Sequence, residues 1–370
     1  MEKWIIQEIE NISEQMIKSI VEIVKIDSVK SEEEKNAPFG KGIKKALDKT
    51  LEISEELGFK IKNIDNYIGY ASYGKSDEYI CAIGHLDVVP VGIGWKNDPF
   101  SGHIEDRVIY SRGILDNKGP ILSCLFGLYA LKRLNLKLNK EVRIIFGCDE
   151  ESGFKDLEYY LSKENPPLMG FTPDCKYPVV YAERGRAVVK ITGRREKITE
   201  FFEMLNEYIL NSKNNGERFK IDFKDEEFGI LECRNYNVNY LENPSLSFSV
   251  SYPASIGCNE IIAKIKKSLP NFEVECIHNF NPVKFEKHCF LVDTLKNVYE
   301  KVTGLDGTPV TTTGGTYAKM MPGIVPFGPS FPGQKGIGHQ PNEWMKIDDI
   351  ITNAKIYALS LYYLAQGEEI

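Results

Sequence analysis

Helix and strand patterns alternate along the first half of the chain, and this alternation constrains the fold more than any other feature. A helix is predicted over residues 41–57, where apolar residues recur on one face and Gly58 follows. Strand-like runs come next in FKIKNI, YIGYASY and YICAI. Pro120 then opens an apolar helix, and EVRIIFG and PVVYAE read as further strands. This order predicts an α/β domain whose sheet has helices on both faces.

The pattern changes near Arg184, where a second domain is predicted to begin. Strand RAVVKITG, helix ITEFFEMLNEYIL, strands RFKIDF, ILECRNYNV and SLSFSVSY, helix NEIIAKIKKSL and strand FEVECIHNF suggest a mostly antiparallel α+β unit. After Pro282 the α/β alternation returns and ends in a helix over about residues 348–365. We therefore expect a discontinuous catalytic domain of residues 1–183 and 283–370, interrupted by an inserted α+β domain of residues 184–282.

Composition excludes several classes of protein. A net charge of -7 without a basic block argues against a nucleic-acid or anionic-membrane surface, and eight cysteines without a C-x-x-C pair indicate neither a zinc knuckle nor a disulfide framework. Residues 1–24 place apolar side chains at helical spacing with acids between them, and the continuous apolar core of a signal peptide is lacking. The sequence predicts a cytoplasmic protein and leaves a homo-oligomer open.

Polar side chains follow the predicted strands. His85 and Asp87 come after YICAI, and three acids in a row, Asp149 to Glu151, come after EVRIIFG. Ligands in open α/β sheets bind beyond the carboxyl ends of the strands, so these side chains are expected to converge. Two carboxylates about 4 Å apart repel by roughly 4 kcal/mol at an effective dielectric near 20. A cation is therefore expected beside the acids.

Three further residues are candidates for the same crevice: Asp116 before a helix start, Asp174 before PVVYAE and His339 before the last helix. Each candidate taken alone has a structural alternative. Asp116 could be a helix N-cap, the Glu150-Glu151 pair a solvated loop, and the histidines core or surface residues.

The motifs in combination are more specific. The order H-x-D, D-N-K-G-P, D-E-E-S, P-D, G-G-T and G-H-x-P-N-E, with the runs GHLDVVPVGIGW, NDPFSG and SRGILDNKGP, resembles the M20 family of metallopeptidases, most closely its PepV-like dipeptidase branch. The resemblance implies a zinc-peptidase-like metallohydrolase domain, with a mixed sheet and helices on both faces, and an inserted α+β lid. It also implies hydrolysis of an amide bond in a dipeptide or similar small substrate. An N-acyl amino acid deacylase and a degenerate metal-binding member remain alternatives.

The resemblance further implies a site for two divalent metal ions. His85 and Asp174 would hold one ion, Glu151 and His339 the other, and Asp116 would bridge them. Nitrogen and oxygen ligands suit zinc, with cobalt or manganese as alternatives.

The remaining roles also follow from the resemblance. Glu150 would be the general base that takes a proton from water, Asp87 would orient His85, and Gly314, Gly315 and Thr316 would lie against the substrate.

Some positions depart from the family pattern. Asn117 stands where relatives often have Asp, and Ser251 stands where the lid usually offers Arg. None of the other histidines lies in an H-G-x-x-P-like lid segment; they are His103, His278 and His288. Weak activity is therefore expected. Arg184 and Arg186 are candidates for holding a substrate carboxylate, with an interdomain salt bridge or a surface position as the alternative.

Overall fold

The computed structural model describes residues 1–367. Its α-helices are α1 (Glu2–Val24), α2 (Lys41–Glu56), α3 (Lys118–Arg133), α4 (Lys155–Lys163), α5 (Ile198–Leu205), α6 (Cys258–Ser268), α7 (Phe290–Thr303) and α8 (Ile347–Gln366). Among these described helices, none combines the length and apolar character that crossing a membrane requires.

The described chain divides into two compact units, of which the first holds residues 1–180, 286–309 and 316–367, and the second holds residues 181–285 and 310–315. In chain order the strands are β1 (Lys60–Ile64), β2 (Ile68–Tyr73), β3 (Tyr79–His85), β4 (His103–Glu105), β5 (Val108–Tyr110), β6 (Glu141–Gly147), β7 (Met169–Thr172), β8 (Cys175–Lys176), β9 (Val180–Glu183), β10 (Gly185–Thr192), β11 (Lys224–Asp225), β12 (Gly229–Ile230), β13 (Glu232–Asn239), β14 (Ser245–Tyr252), β15 (Glu273–Phe280), β16 (Val283–Lys284), β17 (Val310–Thr312), β18 (Ile324–Pro326), β19 (Pro329–Ser330) and β20 (Trp344–Lys346).

A six-stranded mixed sheet in the order β1-β2-β6-β3-β7-β18 forms the centre of the first unit. β3 runs parallel to both neighbours, β6 and β7, and all 7 of its residues are buried, as expected of a strand covered on two faces. A Cβ added to Gly84 would touch Ile121 of α3, whereas Tyr79, on the opposite face of β3, hydrogen-bonds Tyr160 of α4. Helices thus cover both faces, and the predicted α/β class is confirmed.

Strand pairing brings the predicted site segments to one region of the first unit. His85 at the end of β3 pairs with Gly147 at the end of β6, so the segments that follow both strands start side by side. A separate three-stranded sheet, β20-β5-β4, pairs Trp344 with Tyr110. The loop before β20 and the loop after β5 therefore also lie together.

The second unit is built on an antiparallel sheet in the order β13-β14-β10-β15. Buried and partly exposed residues alternate along β14, so one face of the sheet is apolar and the other is not. The apolar face packs on α5 and α6, with Phe248, Phe201 and Ile261 in the shared core. This unit has a core of its own.

One predicted strand, RFKIDF, is absent. Glu217–Phe219 form a 3-10 turn, and Gly216 and Lys220 adopt left-handed backbone conformations with φ of 72° and 61°. Phe219 and Ile221 are buried in the core of the second unit, so their apolar spacing reflects a buried turn and not a strand. The predicted helix ITEFFEMLNEYIL is α-helical only as far as Leu205, the end of α5. Residues 206–210 continue it as a π-helix.

Candidate metal centre

His85 presents one ring nitrogen to a group of acids. Its Nδ1 donates to the backbone oxygen of Asp87 at 2.9 Å, because a carbonyl can only accept. Nε2 therefore faces the acids, 3.1 Å from Oδ1 of Asp116 and 3.7 Å from Oδ2 of Asp174. A histidine with one nitrogen held by a carbonyl and the other free to coordinate is the usual arrangement of a metal ligand.

Asp116 lies between two histidines and offers a different oxygen to each. Oδ1 is the atom near His85, and Oδ2 lies 3.0 Å from Nε2 of His339. His339 Nε2 is also 2.9 Å from Oε1 of Glu151. One carboxylate is thus shared between two sets of side chains.

These side chains form two candidate ligand groups, His85–Asp116–Asp174 and Asp116–Glu151–His339, whose ligand atoms lie within 4.8 Å of one another in each group. Each group combines one imidazole nitrogen with carboxylate oxygens, a donor set that fits zinc and related divalent ions. The five residues are the five predicted ligands, and the structure brings all of them together.

The charges in the cluster favour a cation. Hydrogen bonds to Asp116 and Glu151 raise the pKa of His339 to about 10. Burial lowers the pKa of His85, but its hydrogen bonds to Asp116 and Asp87 outweigh burial and raise the pKa overall. Burial raises the pKa of Asp116, yet the hydrogen bonds from both imidazoles hold it well below the usual range. A divalent ion on the same carboxylates would supply this positive charge in place of the protons.

Glu150 belongs to neither of the two ligand groups found among the described residues. Its pKa is raised well above the ordinary value by burial and by the carboxylates of Asp174, Glu151 and Asp116, although His85 opposes the effect. An acid with a raised pKa beside a candidate metal site can accept and return a proton.

The Asp87 carboxylate holds the turn that carries Glu150 and Glu151. Its Oδ1 accepts the backbone N–H of Glu150 at 3.2 Å, and its Oδ2 accepts that of Glu151 at 3.1 Å. The sequence predicts that Asp87 orients His85, and here the closer contact to the ring comes from the Asp87 backbone oxygen, with Oδ1 at 3.5 Å from Nδ1. Asp87 therefore contacts the site through both its main chain and its side chain.

The first of the three acids, Asp149, has a different environment. It is buried, pairs with Lys30 and accepts the backbone N–H of Lys155 at 3.1 Å at the start of α4. Both carboxylate oxygens of Asp149 thus have partners at the turn, and Asp149 belongs to neither ligand group found among the described residues.

Asn117, a departure from the family pattern, connects two ligand-bearing segments. Its Oδ1 accepts the backbone N–H of His85 at 3.3 Å, and its Nδ2 donates to the backbone oxygen of Pro173 at 2.6 Å, next to Asp174. Its position directly after Asp116 is the only sequence signal for this role.

The sequence predicts no role for Arg112 or Glu343, although the two residues lie within the motifs S-R-G-I-L-D and G-H-x-P-N-E. They form a buried ion pair with 2.7 Å between Nη1 and Oε2, and Glu343 accepts the backbone N–H of Asp116 at 3.1 Å. The motifs contain the residues, but nothing in the sequence indicates that the two contact each other.

The predicted substrate-contacting residues lie in different units. Thr316 is in the first unit, where its Oγ1 accepts the N–H of Ala318, and Gly314 and Gly315 are in the second.

The two candidate arginines, also in the second unit, differ in exposure. The buried Arg184 donates through its guanidinium to backbone oxygens of Ile230 and Ser251, whereas Arg186 is exposed. For Arg184 these contacts favour a structural role over the carboxylate grip.

Comparison with known proteins identifies similar sequences over most of the chain. The profile of Peptidase family M20/M25/M40 matches residues 81–362. YtjP of Bacillus subtilis (strain 168) is 28% identical over 95% of this chain and 98% of its own. Beta-Ala-Xaa dipeptidase of Lactobacillus delbrueckii subsp. lactis is 26% identical over 96% and 97% of the two chains.

Solved structures extend the similarity to the fold. The crystal structure of human carnosine dipeptidase 1 superposes with a TM-score of 0.76 over 99% of both chains at 15% identity. At that identity the likeness concerns the fold alone.

Proposed function

The chain belongs to Peptidase family M20/M25/M40, and from this premise we propose that it hydrolyses dipeptides with the help of two divalent metal ions. Membership confirms the predicted M20 resemblance and makes the chain a peptide hydrolase of the metal-dependent type. The dipeptide substrate is supported by the name of one relative, the Beta-Ala-Xaa dipeptidase. The observation that carries the proposal is the position of Asp116, whose two oxygens face two different histidines at 3.1 and 3.0 Å.

In this proposal His85 and Asp174 hold one ion, Glu151 and His339 hold the other, and Asp116 holds both. Zinc is the proposed metal because each set has nitrogen and oxygen donors, with cobalt or manganese as alternatives. When bound, the two ions would polarise the scissile carbonyl and make the attacking water more acidic.

Glu150 is the proposed general base. Its carboxylate takes a proton from the attacking water and returns it to the leaving amine. Asp87 keeps Glu150 in place through the backbone N–H of the turn.

The proposal extends to the rest of the chain. Residues 184–282 form the lid inserted into the catalytic domain of residues 1–183 and 283–370, and Gly314, Gly315 and Thr316 contact the substrate backbone. The net charge of -7 without a basic block supports an enzyme of small peptides without nucleic-acid or anionic-membrane partners, for which we propose a cytoplasmic location.

Glu150→Gln tests the mechanism, because it removes the base but keeps size and hydrogen bonding. Metal content is expected to survive while kcat falls by roughly 10²–10⁴-fold. Glu158→Gln, at an exposed position of α4, is the control and leaves both unchanged. Equal loss of metal and activity would instead make Glu150 a ligand.

The same protein, reconstituted with zinc, is assayed against dipeptides, β-alanyl dipeptides and N-acyl amino acids. Hydrolysis of dipeptides is expected, slowly, because the family's lid histidine and arginine are missing. Turnover of N-acyl amino acids alone would make the chain a deacylase, and metal binding without any turnover would make it a degenerate member.

A further inference from the structure

A buried ion pair lies beside the candidate metal centre but outside the proposed chemistry. Nη1 of Arg112 lies 2.7 Å from Oε2 of Glu343, and the side chains are 1% and 0% exposed. Arg112 precedes Asp116 in SRGILD, and Glu343 follows His339 in GHQPNE. Neither residue is among the proposed ligands or the proposed base.

Glu343 holds the main chain at Asp116, the residue whose carboxylate belongs to both ligand groups. Its Oε1 accepts the backbone N–H of Leu115 at 2.9 Å and of Asp116 at 3.1 Å, while Oε2 accepts from Arg112. Both oxygens are therefore occupied. Because Asp116 faces two histidines, any shift of its main chain moves both ligand groups at once.

Arg112 reaches two further loops. Nη2 donates to the backbone oxygens of Pro90 at 3.4 Å and Val91 at 3.3 Å, in the segment that follows His85, and Nη1 donates to the oxygen of Gln340 at 3.4 Å, next to His339. Each of these hydrogen bonds is long. However, all of them come from one planar guanidinium, which could not make them together if it were turned to another orientation.

Trp95 packs over this group. The guanidinium carbon lies 5.3 Å from the centre of the indole ring, within the range of a cation–π contact. The indole Nε1 in turn donates to the oxygen of Val91 at 2.7 Å. Trp95 and Arg112 therefore both donate to the backbone oxygen of Val91, in the loop after His85.

A buried ion pair by itself is weak evidence for a stabilising role, because desolvation offsets the attraction between the charges. The contacts of this pair all reach segments next to proposed ligands: the loop that follows His85, the main chain of Asp116 and the loop that carries His339. We propose that Arg112 and Glu343 are positioning residues that set the spacing of these three ligands and thereby the affinity of the protein for its metal ions. This inference rests on the two-metal site of the proposed function.

Conservative substitutions test the inference. Arg112→Lys keeps the charge but replaces the planar fork by a point donor, which cannot reach Glu343, Val91 and Gln340 together. Glu343→Gln keeps an acceptor for the backbone N–H groups but weakens the link to Arg112. Both variants are expected to bind Zn²⁺ about 10–100-fold more weakly than the wild type, the usual effect of removing a group that orients a ligand.

The matched control is an exposed ion pair of the same unit. Arg107 and Asp348 lie 2.5 Å apart with side chains 62% and 70% exposed. Arg107→Lys and Asp348→Asn make the same kinds of change in an arginine–carboxylate pair that lies away from the ligand loops. The Zn²⁺ affinity of these variants is therefore expected to stay at the wild-type value.

Zn²⁺ affinity is measured by equilibrium dialysis of the metal-free full chain, together with urea unfolding of the same samples. A purely structural pair would lower the unfolding midpoint and leave the Zn²⁺ dissociation constant of the folded protein unchanged, which would overturn the inference. Trp95→Leu is the second variant in case the ion-pair variants do not fold, since it keeps both charges and alters a partly exposed position. It is expected to weaken Zn²⁺ binding several-fold, and wild-type affinity in this variant would also overturn the inference.

The wild type separates this inference from the proposed function. If the wild-type chain binds fewer than two ions, the two-metal proposal fails. If it binds two and the folded variants bind them equally well, only the positioning role fails.

Discussion

Asp87→Asn is expected to weaken metal binding by roughly fivefold to 150-fold while the chain remains folded. The wild-type carboxylate accepts two backbone N–H groups, from Glu150 at 3.2 Å and from Glu151 at 3.1 Å. Asparagine keeps one acceptor oxygen and turns an NH₂ group toward the other N–H. One buried donor of the turn is therefore left without an acceptor.

The magnitude follows from that single lost acceptor. A buried donor without a partner costs about 1–3 kcal/mol, and 1.4 kcal/mol is a factor of ten in an equilibrium constant, which gives the range of roughly fivefold to 150-fold. The cost appears in metal affinity because Glu151, a proposed ligand, sits on this turn. A metal-free chain can relax the turn, whereas the metal-bound chain requires it in place.

The assay is equilibrium dialysis of the metal-free protein against Zn²⁺, with urea unfolding measured in parallel. Asp98→Asn is the matched control, because Asp98 accepts the backbone N–H of Phe100 at 2.7 Å in an exposed loop. Wild-type Zn²⁺ affinity in Asp87→Asn would refute the reasoning, and a loss of stability without a change in affinity would restrict Asp87 to a role in folding.

Three further variants test other residues. Tyr317→Phe is expected to lower the free energy of unfolding by about 1–3 kcal/mol, because it removes a hydroxyl that donates to the buried Asp156. Urea unfolding measures this loss, with Tyr299→Phe, which also removes a buried hydroxyl, as the comparison. Equal losses of unfolding free energy in the two variants would contradict the prediction. Arg184→Ala is expected to lower stability and to change KM equally for dipeptides and their amides, since its guanidinium is bound to backbone oxygens. Arg186→Ala tests the carboxylate grip at an exposed position, where a KM increase confined to substrates with a free carboxylate would support it.

The elements of the first unit are predictable because burial leaves a clear pattern. β3 is covered on both faces, so its first five residues, YICAI, form an unbroken apolar run. Gly58 follows α2 with φ of 76°, a left-handed conformation that glycine adopts readily. The failed strand RFKIDF shows the limit of the same logic. Phe219 and Ile221 are both buried, but a turn can bury alternate residues as well as a strand can. The spacing of apolar residues in a sequence indicates which side chains are buried, but it does not indicate whether their backbone pairs with another strand.

The candidate ligands could be predicted because each follows a strand or a glycine-bearing loop in an order that matches a family. The contacts that hold them could not, because they join distant parts of the chain. Arg112 and Glu343 are 231 residues apart, and Asp87 reaches the turn of Glu150 across 63 residues. These side-chain contacts depend on the tertiary fold, in which β20 pairs with β5 and β3 pairs with β6.

Asn117 illustrates how geometry explains a residue that the motif alone leaves unexplained. Its side chain must accept from the N–H of His85 and donate to the oxygen of Pro173. An ionised aspartate has two acceptors and no donor, so it would place a negative charge against the Pro173 oxygen unless it held a proton. The amide satisfies both contacts without a further negative charge beside Asp116 and Asp174. In this chain, therefore, asparagine directly after Asp116 is compatible with the proposed metal site, and this departure from the family pattern does not argue for a degenerate protein.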